Sequence, residues 1–271
     1  MGIVNLTPDS FSDGGRYADE ARAIAHAHRL LGEGADILDL GAESTRPGAA
    51  PVPLESELAR LMPVLAGLRG FPIPISIDTY KPEVMREAIR LGAAMINDIN
   101  ALRTPGSLDV VAQSDAGVCL MHMQGTPQTM QQDPRYGDVV AEVRQFLADR
   151  VAALEDAGIG RERIVLDPGF GFGKTKEHNV ALLRGLDELS ELGLPVLAGL
   201  SRKSVLASLV QGENRMPSPQ PDGDDRVHAS IAAALFAVCK GARIVRVHDV
   251  KATCDALAIY NAVMAEPPPD A

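Results

Sequence analysis

The sequence has no tryptophan, and aromatic residues make up only 4% of its 271 positions. A core without large rings must be filled by Ala, Val, Leu and Ile, and the 46% hydrophobic content supplies them. Cysteine is as scarce. Cys119, Cys239 and Cys254 are widely spaced and form no C-x-x-C pair, which argues against a disulfide frame or a cysteine-rich zinc site and predicts free, buried thiols in a reducing compartment. Basic residues are outnumbered, 26 Lys and Arg against 36 Asp and Glu, for a net charge of −10. That balance argues against nucleic-acid or anionic-membrane partners, which need a basic surface, but leaves room for a local anion pocket. No run is apolar enough to span a bilayer, and no charged region followed by an apolar stretch opens the chain. A cytoplasmic location is expected.

What the sequence does contain is alternation. The candidate strands are Gly2–Leu6, Ala35–Leu40, Pro74–Asp78, Met95–Asp98, Gly117–His122, Arg163–Asp167, Pro195–Gly199 and Arg243–Val247. Most read as near-continuous hydrophobic runs such as ISID and RIVLD, the pattern of parallel strands buried on both faces. Amphipathic helices lie between them. In Asp138–Ala157, Val140, Val143, Leu147, Val151 and Leu154 recur at spacings of three and four. In Arg16–Glu33, Tyr17, Ala21, Ile24, His28 and Leu31 do the same. Eight such β-α pairs predict an α/β fold, a single (β/α)8 TIM barrel with right-handed crossovers; a doubly wound sheet would use fewer strands. No low-complexity linker marks a boundary, so residues 1–271 are expected to form one domain. Gln211–Asp224 reads as a surface loop and residues 266–271 as a frayed, disordered tail.

In a barrel of this kind the C-terminal strand ends face the active site. Here they are polar throughout: Asn5; Glu43, Ser44, Thr45 and Arg46; Asp78; Asn97 and Asp98; His122 after Met121; Asp167; Ser201, Arg202 and Lys203; Arg246 and His248. Helix capping accounts for any one of these, but not for all of them together. Asp78, Asn97 and Asp167 supply acceptors and one amide, while Arg46, Lys203, Arg246 and His248 supply donors. The two sets suit a small ligand with a donor-rich heterocycle at one end and an anionic group at the other. Among the remaining features, DPGFGFGK lacks the spacing of a phosphate loop, and its glycines are expected to let backbone approach a flat ring. His28 is placed on the apolar face of the first helix and His26 in solvent. Cys119, within a strand, is expected to be inert.

The segments GIVNLTPDSFSDGG, GAESTRPGA, ISIDTYKPEV, INDINAL, MHMQGTP, DPGFGFGK, GLSRKS and RVHDV, in this order, resemble those of the dihydropteroate synthase family from Gly2 to about Val263. The resemblance implies a transferase that joins 6-hydroxymethyl-7,8-dihydropterin pyrophosphate to p-aminobenzoate, the step blocked by sulfonamides. By motif, it implies that Asp78, Asn97, Met121, Asp167 and Lys203 hold the pterin, and that Thr45, Arg246 and His248 hold the pyrophosphate. Asn5 would be the protein ligand of Mg2+. Phe172, Lys203 and Ser204 would line the p-aminobenzoate pocket, with Phe11, Arg46 and Pro47 closing over it. Asp78, Asp167, Lys203, Arg246 and His248 would carry the catalysis. A homodimer, and no nucleic-acid or membrane partner, would be expected. Ala42 and Ala101 stand where the family commonly has glycine. The alternatives are a non-catalytic pterin-binding relative and a folate-dependent methyltransferase of related fold, neither of which needs a grip on pyrophosphate.

Overall fold

A computed structural model of the chain describes residues 1–7, 16–45, 48–211 and 226–265. Phe11, Arg46, Pro47, most of the 211–224 segment and the 266–271 tail lie outside the described residues, as do the side chains of 16–18 and 211.

Strand and helix alternate as the hydrophobic pattern predicts. The first half runs β1 (Gly2–Asn5), α1 (Arg16–Gly32), β2 (Leu38–Gly41), α2 (Leu54–Gly67), β3 (Ile75–Asp78), α3 (Pro82–Arg90), β4 (Met95–Asp98) and α4 (Ser107–Ala112). The second half runs β5 (Gly117–Met121), α5 (Val139–Asp156), β6 (Ile164–Asp167), α6 (Lys176–Arg184), α7 (Leu186–Ser190), β7 (Leu197–Ala198), α8 (Ser204–Gln211), α9 (Val227–Cys239), β8 (Ile244–Val245) and α10 (Val250–Met264). Strands β1 to β6 pair in sequence order and β7 pairs with β8, all in parallel. Two single bridges close the ring. Leu166 meets Val196 between β6 and β7, and Gly2 meets Val247 beside β8, where the Ile3 amide donates to the Val247 carbonyl at 3.0 Å. The result is the closed TIM barrel, with no free sheet edge left to cover.

Alternation along each strand sorts the side chains into two populations. Leu38, Leu40, Ile75, Ile77, Ile96, Leu120 and Leu166 face outward and merge with Leu30, Leu61, Leu65 and Leu147 of the surrounding helices into one large core. Each such buried side chain contributes roughly 1.5–3 kcal/mol relative to exposure. Inside the barrel, Met1, Met95, Cys119 and Leu197 pack with Ile37, Val165 and Ile244 as a separate apolar plug. Cys119 is fully buried there and burial raises its thiol pKa well above the ordinary value, in keeping with an inert role; against expectation Cys239 is exposed and Cys254 only half-buried, both on outer helices.

Helix α5 presents the expected stripe, with Val140, Val143, Leu147, Val151 and Leu154 all buried, and Asp138 caps its first turn by accepting from the amides of Val140 and Ala141. Helix α1 differs from expectation. Among its described side chains Ala23, Ala27 and Leu30 are the buried ones, whereas His28 is exposed against the edge of Phe71. His26 is the half-buried one, its Nε2 lying 3.3 Å from the Ile3 carbonyl. Small alanines let this helix lie close to the barrel, so its inner face is read from size rather than from the bulkiest apolar residues. Among the described residues, no helix is long and apolar enough to cross a membrane.

Candidate active site

Above the apolar plug the barrel interior becomes polar. Asp39 on β2 is fully buried, and its Oδ2 accepts from Arg246 Nε at 2.6 Å and from Asn97 Nδ2 at 3.2 Å. Arg246 Nη2 reaches across to Asp78 Oδ2 at 2.8 Å. One guanidinium thus spans two carboxylates from β2 and β3. Burial works against the Arg246 charge, but Asp39 and Asp78 outweigh it and raise its pKa further. For Asp78, burial pushes the pKa up to about 7; Asp39, Glu57 and Asp98 add to that push, and Arg246 opposes it. Gly41 matters here for what it lacks. It stands in register between Asn5 and Asp78, and a Cβ on it would come within 3.3 Å of the Asp78 Cβ. Its bare backbone leaves the space in front of Asp78 open.

Around the ring, Asp167 at the end of β6 accepts from the Gly169 amide at 2.7 Å. Burial raises its pKa against the opposing pull of Lys203 and that amide. Lys203, next to the start of α8, bonds the Phe170 carbonyl and places Nζ 4.6 Å from the Phe172 ring centre. Burial lowers its pKa to about 8, with Asp167 holding it up. Phe172 joins Ile99, Met121, Met123, Met130 and Tyr80 in a small apolar cluster beside these charges. The expected pterin residues Asp78, Asn97, Met121, Asp167 and Lys203 therefore lie on neighbouring parts of one rim with Arg246. Ser204 is exposed at the first turn of α8. His248 is half-buried; its Nδ1 lies 3.0 Å from Ser201 Oγ, which also accepts from the His248 amide. Thr45 is half-buried next to residues outside the described set. Arg202 pairs with Asp249 at 2.6 Å instead of joining the cationic rim.

Two glycines of DPGFGFGK are needed for packing within the chain. A Cβ on Gly169 would lie 1.9 Å from the His122 carbonyl, and one on Gly173 would lie 2.4 Å from the Gln124 carbonyl. They seat the loop after β6 on the segment after β5. Lys174 fastens that seat. Its buried Nζ donates to the carbonyls of Gly169 at 2.9 Å and Phe172 at 3.0 Å, and lies 2.9 Å from His122 Nδ1. Burial drops the Lys174 pKa to about 7 and, with help from Lys174 itself, the His122 pKa to about 3. His122 is thus a neutral packing residue between Tyr136 and Phe146.

The Lys81 cluster escaped the sequence reading, and Asp98, expected on the rim, is placed elsewhere. Lys81 is held between Glu43 and Glu57, while Tyr80 donates to Glu43 at 2.8 Å and Thr79 to Glu57 at 2.6 Å. This buried cluster ties the root of the segment leading to Thr45 onto α2 and β3. After β4, Asp98 turns away from the rim and accepts from the amides of Asn100 at 2.7 Å and Leu102 at 2.8 Å. It thereby holds Ala101 and Leu102 at φ of 52° and 54°, the left-handed region, even though neither is glycine.

The donor chemistry also fits a hard cation of one kind. Among the described residues no group of His, Cys, Asp and Glu could hold a metal by itself. Asn5 is half-buried at the rim end of β1, level with Gly41 and Asp78. A single amide oxygen suits Mg2+, which keeps several waters and takes other oxygens from a bound phosphate.

A closed barrel whose rim sets carboxylates against a lysine, an arginine and a histidine is the site of an enzyme acting on a small anionic heterocycle. The chain matches the family described as pterin binding enzyme over residues 1–248, and it belongs to that family. It is 54% identical to the dihydropteroate synthase of Neisseria meningitidis serogroup B, over 97% of this chain and 92% of the relative. Among solved structures it resembles Xanthomonas albilineans dihydropteroate synthase with 4-aminobenzoic acid, at a TM-score of 0.90 and 53% identity over 98% of this chain and 93% of the other. The Yersinia pestis enzyme with a sulfonamide drug is similar at a TM-score of 0.89 and 45% identity, over 97% and 93% of the two chains.

Proposed function

We infer that this chain is a dihydropteroate synthase, a transferase that condenses 6-hydroxymethyl-7,8-dihydropterin pyrophosphate with p-aminobenzoate and releases pyrophosphate. The observation that carries this reading is the division of one rim into an acceptor arc, Asp78, Asn97 and Asp167, and a cationic arc, Lys203, Arg246 and His248. The acceptor arc suits the amino and ring N–H groups of a pterin. The cationic arc, with Thr45, suits a pyrophosphate.

The reaction follows from those placements. As the C–O bond to pyrophosphate breaks, negative charge grows on the leaving group, where Arg246 and His248 stabilise it without reorganising. Mg2+ held at Asn5 would supply additional neutralisation of the same oxygens. Positive charge grows on the pterin methyl carbon, facing Asp78 and Asp167. The aniline nitrogen of p-aminobenzoate then attacks from the side of Phe172, Lys203 and Ser204, and the acidic anilinium so formed gives its extra proton to the departing pyrophosphate or to water. No strong general base is required, because an arylamine is already neutral at pH 7. Phe11, Arg46 and Pro47 are assigned to the cover over this pocket, which keeps water from the cation. A sulfonamide is expected to compete with p-aminobenzoate.

The intact cationic arc favours catalysis over a pterin-binding relative or a methyltransferase, since neither needs a pyrophosphate grip. We also assign a cytoplasmic location and a homodimer. The dimer is supported by large apolar side chains left exposed on α9 and α10, Phe236 at 48%, Ile259 at 68% and Val263 at 75%. The test of the activity is to mix purified protein, Mg2+ and both substrates and follow both products. Pyrophosphate and dihydropteroate should appear in matched amounts. Binding of pterin pyrophosphate with no turnover would contradict the synthase reading.

A further inference from the structure

Asp39 is the least comfortable residue in the barrel. It is a carboxylate at 0% exposure, one turn of side-chain alternation below the open rim, and its Oδ1 has no partner among the described residues. Burying a charged group with an unsatisfied oxygen is expensive, and such groups persist when their partners need them. Both partners of Asp39 are rim residues. Arg246 Nε donates to its Oδ2 at 2.6 Å and Asn97 Nδ2 at 3.2 Å. Among the described residues nothing else fixes the Nε side of the Arg246 guanidinium, since its other ion pair runs from Nη2 to Asp78.

Asp78 is a poor sole anchor for that side chain. It belongs to the acceptor arc, and a pterin bound there would draw on the same oxygens. Asp39 lies two residues deeper on its strand than Gly41, the residue level with Asp78, and is fully buried. We propose that Asp39 is a positioning residue that holds the Arg246 guanidinium aimed at the pyrophosphate while Asp78 is engaged by the pterin. This rests on the assignment of Arg246 to the pyrophosphate. The proposal has a sign that charge alone would reverse. Removing a carboxylate 2.6 Å from Arg246 makes the site more positive, so a purely electrostatic role predicts tighter anion binding. A positioning role predicts weaker binding.

The experiment is a calorimetric titration of the purified full chain with inorganic pyrophosphate and Mg2+, run in parallel with product formation from both substrates. Asp39→Ala removes the acceptor, Asp39→Asn keeps an acceptor of the same shape, and both are also made together with Arg246→Met. Asp39→Ala should weaken pyrophosphate binding by ~10-fold or more, the usual loss when a supporting hydrogen bond is removed, and Asp39→Asn should recover most of that loss. With Arg246→Met present, neither change should matter. Unchanged or tighter binding by Asp39→Ala would overturn the proposal, as would an equal loss in both Arg246 backgrounds. If Asp39→Ala does not fold, the same comparison is made with Asp39→Leu, which also removes the acceptor but fills its volume. A several-fold weakening that vanishes with Arg246→Met supports the proposal, and no difference from wild type overturns it. A wild-type protein that binds pyrophosphate but makes no dihydropteroate would defeat the synthase reading while leaving the Asp39 result to stand or fall separately.

Discussion

The barrel interior holds two regions built on the same strands with opposite chemistry. The lower one, Met1, Ile37, Met95, Cys119, Val165, Leu197 and Ile244, is packed from apolar side chains alone. The upper one places Asp39, Ser76, Asn97 and Asp167 in positions of 0 to 6% exposure, with Arg246 among them. The lower region follows the ordinary logic of a core, in which close packing gives stability. The upper region violates it, leaving Asp39 Oδ1 and Ser76 Oγ unpartnered and pushing Asp78 up to about 7 through burial. Stability should therefore depend mainly on the plug, and activity mainly on the polar layer.

The strongest way to break that division is in the plug. Leu197→Ala should destabilise the protein by about 2–5 kcal/mol through lost burial and a cavity, read by denaturant unfolding, while kcat/KM of the folded fraction stays near wild type. Arg246→Lys should do the reverse. The charge remains but the fork that spans Asp39 and Asp78 is lost, so kcat/KM for pterin pyrophosphate should fall on the order of 10²-fold with a much smaller change in unfolding midpoint.

A third test uses proton linkage. The folded-state pKa of Asp78 is raised to about 7, chiefly by burial. Between the ordinary carboxylate range and pH 7, the folded protein keeps a proton that the unfolded chain releases, so this group's contribution to stability falls as pH rises through that window. Wild-type stability measured against Asp78→Asn should therefore decline from pH 4 to pH 7, by at most ~1.4 kcal/mol per pH unit. A flat difference would mean that Asp78 titrates at its usual value. The smallest expected effect lies outside the barrel interior. Ala101 holds a φ of 52°, so Ala101→Gly should relieve a strain of ~1–2 kcal/mol, partly offset by ~0.5–1 kcal/mol of backbone entropy. A modest rise in thermal midpoint with unchanged kinetics is expected.

Much of this was legible in the sequence, and the gaps have physical causes. Met95–Asp98 begins and ends as its hydrophobic run predicts, because a parallel strand buried on both faces writes itself as a continuous apolar stretch. The rim residues were legible as polar groups at strand ends. Asp39 was not, although an acid flanked by Leu38 and Leu40 at the same parity as Ile37 and Gly41 was the available signal. Glu57 looked like any acidic residue in a first helical turn, and only tertiary structure shows it buried against Lys81 and Thr79. The role of Gly169 depends on a carbonyl some forty-seven positions away in sequence, that of His122, which no local pattern reports.

The most direct measurement is a crystal structure of the chain with pterin pyrophosphate and Mg2+. The pterin should lie against Asp78, Asn97 and Asp167 and the pyrophosphate on Arg246 and His248, with the Arg246 Nε to Asp39 bond of 2.6 Å retained beneath it. A ligand bound elsewhere, or an Arg246 turned away from Asp39 with the pyrophosphate still held, would contradict this assignment.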